Sequence, residues 1–492
     1  MSEGRDIGLS EGGRAIRNSA VKFAASTFEA VVAIAVISLL AHKLSLEEFG
    51  RYSLVVAFTA ITRFLAGMGV PIIVTREIAR DPEATPTIYA SALVLHIALA
   101  AGYLVAMTGA VMIWSRDIDI IVSTALCAAA INADFFARLF GAVFKGFERM
   151  EYEAITTAAC SATYLAGTLY VVWYRPTLVA IFAALLLSSL VDAALGYWFL
   201  VRHFVRPRLR GHCGMWKRLL KEAYPVGLRR ILRVISYRVD TLLLVAMRGN
   251  VEAGLFHAVY KIVNGFAYLA ETVVQAVYPM LSRQGAGGSS HDTYRLTLKY
   301  LIILSLPLII AFAFFAEPII RLVLGAKFVS ASWAMSALGG ALALLFISTL
   351  QERMLIAHGR QTASSVMTAV SVAILIALDA TLIPRYGAAG AGVATLVAEG
   401  VLLLLYHVYI RRQVNRQEVF GEALRPLAAA AVACLALLGL GTARPLLGAI
   451  VGSVAYAGAL FLLGAFPAGE LAVMRESMRR RPRRVPAGNA TR

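Results

Sequence analysis

Charged residues and cysteines are scarce in this chain of 492 residues. Asp, Glu, Lys and Arg together make up 15% of it, whereas 59% of the residues are hydrophobic and the mean hydropathy is +0.72. A soluble protein of this length cannot bury so much apolar surface. The four cysteines are far apart and indicate no disulfide framework, and the adjacent pair His212-Cys213 lacks the spacing of metal ligands. We therefore expect a membrane protein without a metal or another cofactor.

Long polar segments are also missing. The loops between the apolar runs are short, which leaves no room for a soluble catalytic domain or for a basic soluble domain. The net charge of +18 therefore does not indicate nucleic-acid binding. Basic loops that fix the membrane topology and contact anionic lipids explain this charge, so we expect membrane lipids as partners.

The chain is instead rich in apolar runs close to the length that crosses a bilayer, about 17–25 residues. The first run is too long for a cleaved signal peptide, and we expect it to remain as a signal anchor. We predict an all-α polytopic membrane protein with about 14 transmembrane helices. The runs are Ala20–Ala41, Tyr52–Met68, Ile88–Trp114, Ile118–Phe144, Ala154–Trp173, Leu178–Val201, Ala223–Met247, Ala253–Met280, Leu296–Phe315, Trp333–Ile356, Val366–Leu382, Ala388–Ile410, Leu427–Leu440 and Leu446–Phe466.

The positions of Lys and Arg predict the orientation. Most of the 47 Lys and Arg residues fall in segments on the same side of the membrane as the N-terminus. The richest of these segments are 202–221, 411–425 and 479–484. Because cytoplasmic loops retain Lys and Arg, we expect both termini to be cytoplasmic and the protein to lie in the plasma (inner) membrane.

The spacing of the helices predicts two halves. The longest basic loop lies near the middle, which divides the first twelve helices into two groups of six. Superposing Gly50, at the start of the second helix, on Gly254, at the start of the eighth, brings the inner ends of both helices nearly into register. Duplicated halves are typical of alternating-access transporters. We predict an N-terminal segment (1–19), a first lobe (20–204), a basic linker (205–222), a second lobe (223–410), two additional helices (411–470) and a basic tail (471–492).

An ordered set of short motifs carries a family resemblance. No single motif is diagnostic, but together, over roughly residues 15 to 410, they are similar to the polysaccharide-transport (Wzx-type) oligosaccharide flippases. The motifs are Leu46-Glu47-Glu48-Phe49-Gly50-Arg51-Tyr52-Ser53, Arg76-Glu77-Ile78-Ala79-Arg80-Asp81, Gly146-Phe147-Glu148-Arg149-Met150-Glu151-Tyr152, Arg238-Val239-Asp240-Thr241 and Tyr278-Pro279-Met280-Leu281-Ser282-Arg283.

This resemblance implies a fold, a mechanism and a substrate class. It implies membership of the multidrug/oligosaccharidyl-lipid/polysaccharide (MOP) exporter superfamily, with two pseudo-symmetric six-helix lobes around a central cavity that opens alternately to each side. The implied substrate is a glycan on a polyprenyl phosphate or pyrophosphate carrier, and the implied partners are a polymerase or glycosyltransferases of the same pathway. The two extra helices are more like those of the lipid II flippase.

Charges in the seventh run form the first set of candidate site residues. A phosphate that crosses a membrane needs a hydrated, cationic cavity, and the planar guanidinium of arginine binds phosphate bidentately. At 100° per residue, Arg229, Arg233 and Asp240 fall on one stripe of the helix, and Arg238 lies almost opposite. We expect Arg233 to bind substrate and Arg229 and Arg230 either to do the same or to extend to the cytoplasmic interface. We expect Asp240 to face the gap between the lobes, either as a partner of Arg233 or as a coupling site. Alternatively, Asp240 and Arg238 could form structural ion pairs with neighbouring helices.

Other charges within apolar runs complete the set. Arg63 and Lys261 are candidate substrate-binding residues, and Lys261 could instead extend to the outer interface. Asp134 and Arg138 are spaced i, i+4, which favours a mutually neutralising pair, with Arg138 as a further substrate-binding candidate. We expect Asp379 to lie at the interface between the membrane and water. Four carboxylates are candidates for proton or cation coupling, or for partners of buried arginines: Glu29, Asp192, Glu271 and Glu399.

The leading function is therefore transport of a lipid-linked oligosaccharide, driven by an ion or proton gradient or by the membrane potential. One alternative is a multidrug or organic-cation extruder of the same superfamily, whose cavity should be rich in carboxylates and aromatic side chains. The other is a membrane glycosyltransferase or O-antigen ligase. An enzyme of that kind needs a sizeable outer loop with catalytic residues, and the outer loops here are short.

Overall fold

The structure is a computed structural model that describes residues 11–67, 69–205, 216, 234–235, 238–282, 289–410, 416–440 and 445–465. Over these residues the chain is helical and contains no strand. Eight of the helices are long and apolar enough to cross a membrane. The helices are α1 (Glu11–Lys43), α2 (Leu46–Gly67), α3 (Val70–Arg80), α4 (Thr85–Trp114), α5 (Ile118–Gly146), α6 (Met150–Tyr174), α7 (Leu178–His203), α8 (238–248), α9 (Asn250–Gly265), α10 (Ala267–Ser282), α11 (Ser289–Phe314), α12 (Ala316–Val323), α13 (Ser332–Ala357), α14 (Gln361–Ile410), α15 (Arg416–Leu440) and α16 (Pro445–Leu462).

The predicted all-α polytopic fold is confirmed, with breaks that a hydropathy pattern does not show. The eighth apolar run is divided at Phe266 into α9 and α10. The second run is followed by a turn at Gly69, where φ is 81°, and α3 then begins at Val70 with Pro71 in its first turn. Large apolar side chains remain on the outside, as in a protein surrounded by lipid: Trp173 is 86% exposed and Leu322 is 82% exposed.

Helix α14 is a hairpin of two antiparallel halves. The turn is at Gly387, where φ is 54° and ψ is −132°, a conformation that favours glycine. The hydroxyl of Ser371 in the first half donates to the carbonyl oxygen of Ala398 in the second, at 2.8 Å. At the turn, the carboxylate of Glu252 accepts a hydrogen bond from the backbone N–H of Ala388 at 2.8 Å, which caps the second half. The hairpin therefore places residues about eight positions before and after Gly387 at the same depth.

Helix packing separates two groups. Helices α1 to α7 pack mainly with one another through the α5–α7, α6–α7 and α1–α6 contacts, and α9 to α14 do so mainly around α13. We call these groups the first and the second lobe. Helix α8 belongs to the second lobe, because its Asp240 accepts a hydrogen bond from Thr395 of α14. Helices α15 and α16 pack on each other and, through α15, on α11 of the second lobe.

The two lobes touch at the end that carries the predicted outer loops, which we call the outer end. Here α2 and α9 approach so closely that a Cβ added at Gly50 would lie 1.9 Å from the carbonyl oxygen of Asn250. A Cβ at Gly254 would lie 2.9 Å from the backbone nitrogen of Gly50. Nearby, the rings of Phe49 and Phe328 meet edge to face with centroids 5.3 Å apart. The two glycines that the sequence repeat superposes thus close the outer end in direct contact.

Candidate functional site

A cavity of about 530 Å³ lies between the two lobes, on the inner side of the outer contact. Four of its fourteen lining residues are Arg or Lys, and none is Asp or Glu. The lining is contributed by α2, α3 and α5 of the first lobe and by α9 and residues near α8 of the second: Ala60, Arg63, Gly69, Pro71, Ile72, Thr75, Phe135, Arg138, Ala142, Lys145, Val234, Arg238, Tyr260 and Asn264. The wall is therefore cationic and otherwise mostly apolar.

Arg63 and Arg138 share one carboxylate in the first lobe. Arg138 Nε donates to Asp134 Oδ2 at 2.9 Å, and Arg63 Nη2 donates to the same oxygen from α2. The Arg63 guanidinium also lies 5.6 Å from the centroid of the Phe135 ring, within the range of a cation–π interaction. One carboxylate serves two guanidinium groups, so this cluster keeps an excess positive charge.

The free donors of this cluster point into the cavity. The side chains of Arg63 and Arg138 are 38% and 46% accessible, and both residues line the cavity. Asp134, which holds them, is 24% accessible and is not part of the wall. A guanidinium has five donors, and the shared carboxylate occupies only some of them. The arrangement is therefore pre-organised to accept an oxyanion without first breaking an ion pair.

Lys145 adds a further cation near the inner end of α5. Its Nζ lies 2.6 Å from Glu153 Oε1 on α6, and the residue lines the cavity. The sequence analysis did not single out Lys145, because it lies one residue beyond the predicted apolar run. Its spacing of seven residues from Arg138 on the same helix face was the available signal.

The outer side of the cavity is formed by α8 and α9. Arg238 lines the cavity, and its Nη1 lies 3.4 Å from Nδ1 of His257, which is 2% exposed. The His257 ring also meets the ring of Tyr52 in the first lobe, edge to face, at 6.4 Å. Lys261, one turn after His257, is close enough to Arg238 for mutual repulsion and to Glu29 on α1 for attraction. Glu29 also attracts Arg138, so it lies among the cations of both lobes.

A second polar cluster lies inside the second lobe, away from the cavity wall. Asp240 on α8 and Asp379 on the first half of α14 are 1% and 0% exposed, and their carboxyl groups lie side by side. The Thr395 hydroxyl, from the second half of the hairpin, donates to Asp240 Oδ2 at 3.1 Å. No donor among the described residues reaches Asp240 Oδ1 or either carboxylate oxygen of Asp379. Adjacent carboxyl groups in an apolar layer need a proton or a cation to offset their repulsion.

Thr395, the hydroxyl donor to Asp240, also lines a second and smaller cavity. A small cavity of about 40 Å³ shares Tyr260 and Asn264 with the large one, and Thr395 forms part of its wall. No group of three or more His, Cys, Asp or Glu side chains suited to a metal occurs in the described part of the chain. Two carboxyls and one hydroxyl are oxygen groups that suit a proton or a hard cation.

Three expectations about these residues need correction. Asp240 is buried inside the second lobe instead of facing the gap between the lobes, and it is Arg238 that faces the cavity. Arg238 has a neutral histidine as its neighbour, and no carboxylate of the described residues is within ion-pair distance of it. Asp379 is fully buried instead of interfacial, because the α14 hairpin turns it toward α8.

The remaining candidates lie at the following places. Asp134 and Arg138 form the expected ion pair. Glu271 on α10 pairs with Arg353 of α13 at 3.2 Å, which is the alternative of a partner for an arginine. Two carboxylates have hydroxyl neighbours: Glu399 is 3.5 Å from Ser348, and Asp192 lies beside Thr156. Arg229, Arg230 and Arg233 lie outside the described residues, so their substrate role stays a prediction.

Comparison with known proteins places this architecture in a family. The sequence profile of the family described as polysaccharide biosynthesis protein matches residues 15–284, more than half of the chain. The chain belongs to this family. No curated protein matches the chain.

Solved structures share the fold. The lipid II flippase MurJ in an inward closed conformation is 15% identical with a TM-score of 0.72, and the match covers 94% of this chain and 100% of that one. A multidrug resistance MATE family transporter of the MOP superfamily, in an inward-facing conformation, is 16% identical with a TM-score of 0.66, covering 80% and 98%. A MOP superfamily transporter from Pyrococcus furiosus, whose binding pocket has reversed polarity, is 15% identical with a TM-score of 0.59, covering 82% and 95%. The protein is thus a multi-pass membrane protein with the MOP transporter fold.

Proposed function

We propose that this protein moves a polyprenyl-phosphate- or polyprenyl-pyrophosphate-linked oligosaccharide from the cytoplasmic to the outer leaflet by alternating access. Family membership supports the glycan pathway, and the fold supports transport instead of catalysis. Glycosyltransferases that assemble the glycan supply the substrate at the inner side, and a polymerase or another transferase uses it outside. We place the protein in the plasma (inner) membrane with both termini in the cytoplasm.

The cationic wall of the cavity is the observation that carries this proposal. A lipid-linked glycan has an anionic phosphate, a polar sugar head and an apolar tail. Arg63 and Arg138 offer donors in the fork geometry that matches phosphate oxygens. Arg238 offers a third guanidinium from the opposite lobe. A phosphate held between Arg63, Arg138 and Arg238 contacts both lobes, so it can stabilise a different arrangement of the lobes from the empty cavity.

The same wall weighs against an organic-cation extruder. A cationic drug would meet four Lys or Arg side chains and no carboxylate among the lining residues. Asp134 is engaged by two arginines, so its charge is already offset. The solved structures with this fold include both a lipid flippase and multidrug transporters, so the cavity and not the fold supports the choice of substrate.

We propose that the buried pair Asp240 and Asp379 couples transport to a gradient of protons or of a hard monovalent cation. The pair lacks a basic partner among the described residues, and Thr395, which donates to Asp240, lines the small cavity that shares Tyr260 and Asn264 with the main one. Loading this site draws Asp240 on α8 and the α14 hairpin together. Because Arg238 is two residues from Asp240, the loading also affects the position of a cavity arginine.

The test is transport of a fluorescent lipid-linked oligosaccharide in reconstituted vesicles, with wild-type protein and with Arg63→Ala, Arg138→Ala and Arg238→Ala. Each single change leaves Asp134 with an arginine partner, so the fold retains its buried charge balance. We expect transport to fall on the order of tenfold for each variant, since a hydrogen bond to a charged group contributes about 1.5–3 kcal/mol. Arg321→Ala, on the exposed outer helix α12, is the matched control.

Substrate selectivity provides the second half of the test. Inorganic pyrophosphate should inhibit transport of the lipid-linked glycan, whereas cationic dyes should not. Efflux of the dyes by the wild type, without transport of the glycan, would favour the extruder. Unchanged glycan transport in a stably folded Arg63→Ala/Arg238→Ala variant would contradict the phosphate-binding role of the cavity.

A further inference from the structure

His257 lies between an arginine of the second lobe that lines the cavity and an aromatic ring of the first lobe. On one side its Nδ1 faces Arg238 Nη1 at 3.4 Å, and on the other its ring meets Tyr52 of the first lobe. It is one turn after Gly254, whose backbone touches Gly50 at the outer contact. Tyr52 is two residues after Gly50. Four residues around one histidine thus join an arginine of the cavity to the contact that closes the outer end.

In the contact between Arg238 and His257, only Arg238 can donate the hydrogen bond. A guanidinium only donates hydrogen bonds, so Nδ1 of His257 accepts and the imidazole is neutral, with its proton on Nε2. Its charged neighbours on α8 and on its own helix are Arg238 and Lys261, and both favour the neutral ring by repulsion. From the first lobe it faces the Tyr52 ring, which is buried and hydrogen-bonded to Tyr164. The hydrogen bond between Arg238 and His257 is therefore one between a charged and a neutral group.

A phosphate oxygen is a stronger acceptor for Arg238 than this imidazole, because both partners are then charged. When the guanidinium turns toward an anion in the cavity, His257 Nδ1 loses its donor. With Arg238 in place the ring is 2% exposed, and Arg238 is the only donor to Nδ1 among the described residues. A buried acceptor without a partner is unfavourable, and a shift of α9 that lets water in relieves it. That shift separates Gly254 from Gly50.

We propose that His257 is a positioning residue that couples phosphate binding in the cavity to opening of the outer contact. It keeps the outer end closed while Arg238 has no anion and weakens that closure once an anion has bound. The inference rests on the proposed function, because it requires an anion at Arg238. Nδ1 of His257 on α9 thereby links anion binding at Arg238 to opening of the outer contact.

The experiment measures the two steps separately. Spin labels are attached to cysteines introduced at exposed outer positions of the two lobes, Lys43→Cys and Leu322→Cys, with the native cysteines replaced. Geranylgeranyl pyrophosphate serves as the probe, and its binding is measured by calorimetry on the same protein in detergent or nanodiscs. In the wild type we expect the probe to bind and to shift the distance distribution between the labels toward longer distances.

The informative variant is His257→Phe, which keeps an aromatic ring against Tyr52 but removes the acceptor for Arg238. We expect probe binding to be retained or up to tenfold tighter, because Arg238 is released, while the probe-dependent shift in distance falls at least fivefold. His257→Gln restores an acceptor oxygen and should recover part of the shift. In transport assays, His257→Phe should lower kcat and leave KM unchanged or reduced. His96→Phe is the matched control, since His96 is equally buried (1% exposed) but packs within the first lobe against Phe136.

The outcomes separate the inference from the function on which it rests. A wild-type protein that does not bind the probe contradicts the proposed function and the inference together. A wild type that binds without any change in distance, or a His257→Phe variant whose shift equals that of the wild type, overturns the inference alone. Loss of probe binding in His257→Phe would also overturn it, because the ring would then only hold Arg238 in place.

Discussion

The two lobes hold their intramembrane carboxylates in different surroundings. In the first lobe, the cluster of Arg63, Asp134 and Arg138 is a quarter to nearly half accessible and lines the cavity with guanidinium groups. In the second lobe, Asp240 and Asp379 are 1% and 0% exposed and are turned into the helix bundle. The first lobe thus keeps its carboxylate beside cavity arginines, whereas the second lobe, which also turns Arg238 to the cavity, holds its acidic pair away from the cavity.

This difference indicates that the two lobes have different roles. A charge costs less at a hydrated cavity than in the apolar interior of a lobe, so an accessible arginine can wait for an anion without a large penalty. A buried pair of carboxyls persists only if a proton or cation accompanies it. The first arrangement suits binding of a large anionic head, and the second suits a small coupling ion.

The largest effect is expected from the double variant Arg63→Ala/Arg138→Ala. It removes both donors of the first-lobe cluster and leaves Asp134 without its two partners near the cavity. Two lost charged hydrogen bonds of about 1.5–3 kcal/mol each predict a decrease in transport of about 100-fold or more. Initial rates in reconstituted vesicles, normalised to folded protein, measure it.

The control for this prediction removes the stranded carboxylate. Adding Asp134→Ala to the double variant restores neutrality at the site but not the donors, so transport should stay low while thermal stability recovers. If transport recovers together with stability, the cluster has only a structural role, and the comparison between the lobes loses its functional meaning.

The second prediction concerns the acidic pair. Asp379→Asn fixes one member in a neutral form, so the site no longer changes its proton or cation occupancy. Coupling free energies of about 1–3 kcal/mol predict that the stimulation of transport by an imposed gradient drops roughly 30-fold. The rates with and without a gradient of protons or of sodium ions measure it. Asp192→Asn, in the first lobe, is the matched control: if it abolishes the stimulation and Asp379→Asn does not, the coupling site lies in the first lobe.

Much of the fold follows from the sequence, because the length of an apolar run reports directly on a membrane crossing. The contact between Gly50 and Gly254 joins the two positions that the predicted repeat superposes, but the repeat alone does not predict that they touch. The direction in which each charge points does not follow. Helical spacing grouped Asp240 with Arg233, but the face that a helix turns to a cavity is set by its neighbours. The burial of Asp379 does not follow either, because the turn at Gly387 and the packing of the α14 hairpin on α8 are tertiary features.

Among site residues, the sequence analysis found Arg63, Arg138, Arg238 and Lys261 because a charge in an apolar run is unusual. It missed His257, since a lone histidine in such a run gives no signal of its neighbours. Tyr52 stands in one of the family motifs, but that motif gives no signal of its contact with His257. Both matter through a contact between residues about 200 positions apart, which no local pattern records.

The third prediction tests the contact where the lobes meet. Gly254→Ala adds a Cβ that would lie 2.9 Å from the backbone nitrogen of Gly50, so closure of the outer end requires α2 and α9 to separate. Overpacking of this kind costs about 1–3 kcal/mol, which predicts a transport rate about tenfold lower and greater labelling of outer cysteines by a membrane-impermeant reagent. Gly102→Ala is the control, because nothing lies within 4 Å of its added Cβ. Equal labelling of the two variants would show that the glycine contact does not govern outer access.

The smallest effect is expected at the edge of the acidic pair. Thr395→Val removes the hydroxyl that donates to Asp240 Oδ2 at 3.1 Å but keeps the shape and branching of the side chain. A hydrogen bond of ordinary strength contributes about 1 kcal/mol, which predicts an apparent affinity for the coupling ion that is roughly fivefold weaker. The maximal rate at saturating ion should remain, because both carboxyls are intact. Thr381→Val on the same hairpin is the matched control, since its hydroxyl bonds only to the backbone of its own helix and its side chain is exposed. A change in the maximal rate instead of the affinity would mean that Thr395 shapes the hairpin and not the ion site. The coupling ion would then pass between the cavity and the acidic pair by a route that does not include the small cavity beside Thr395.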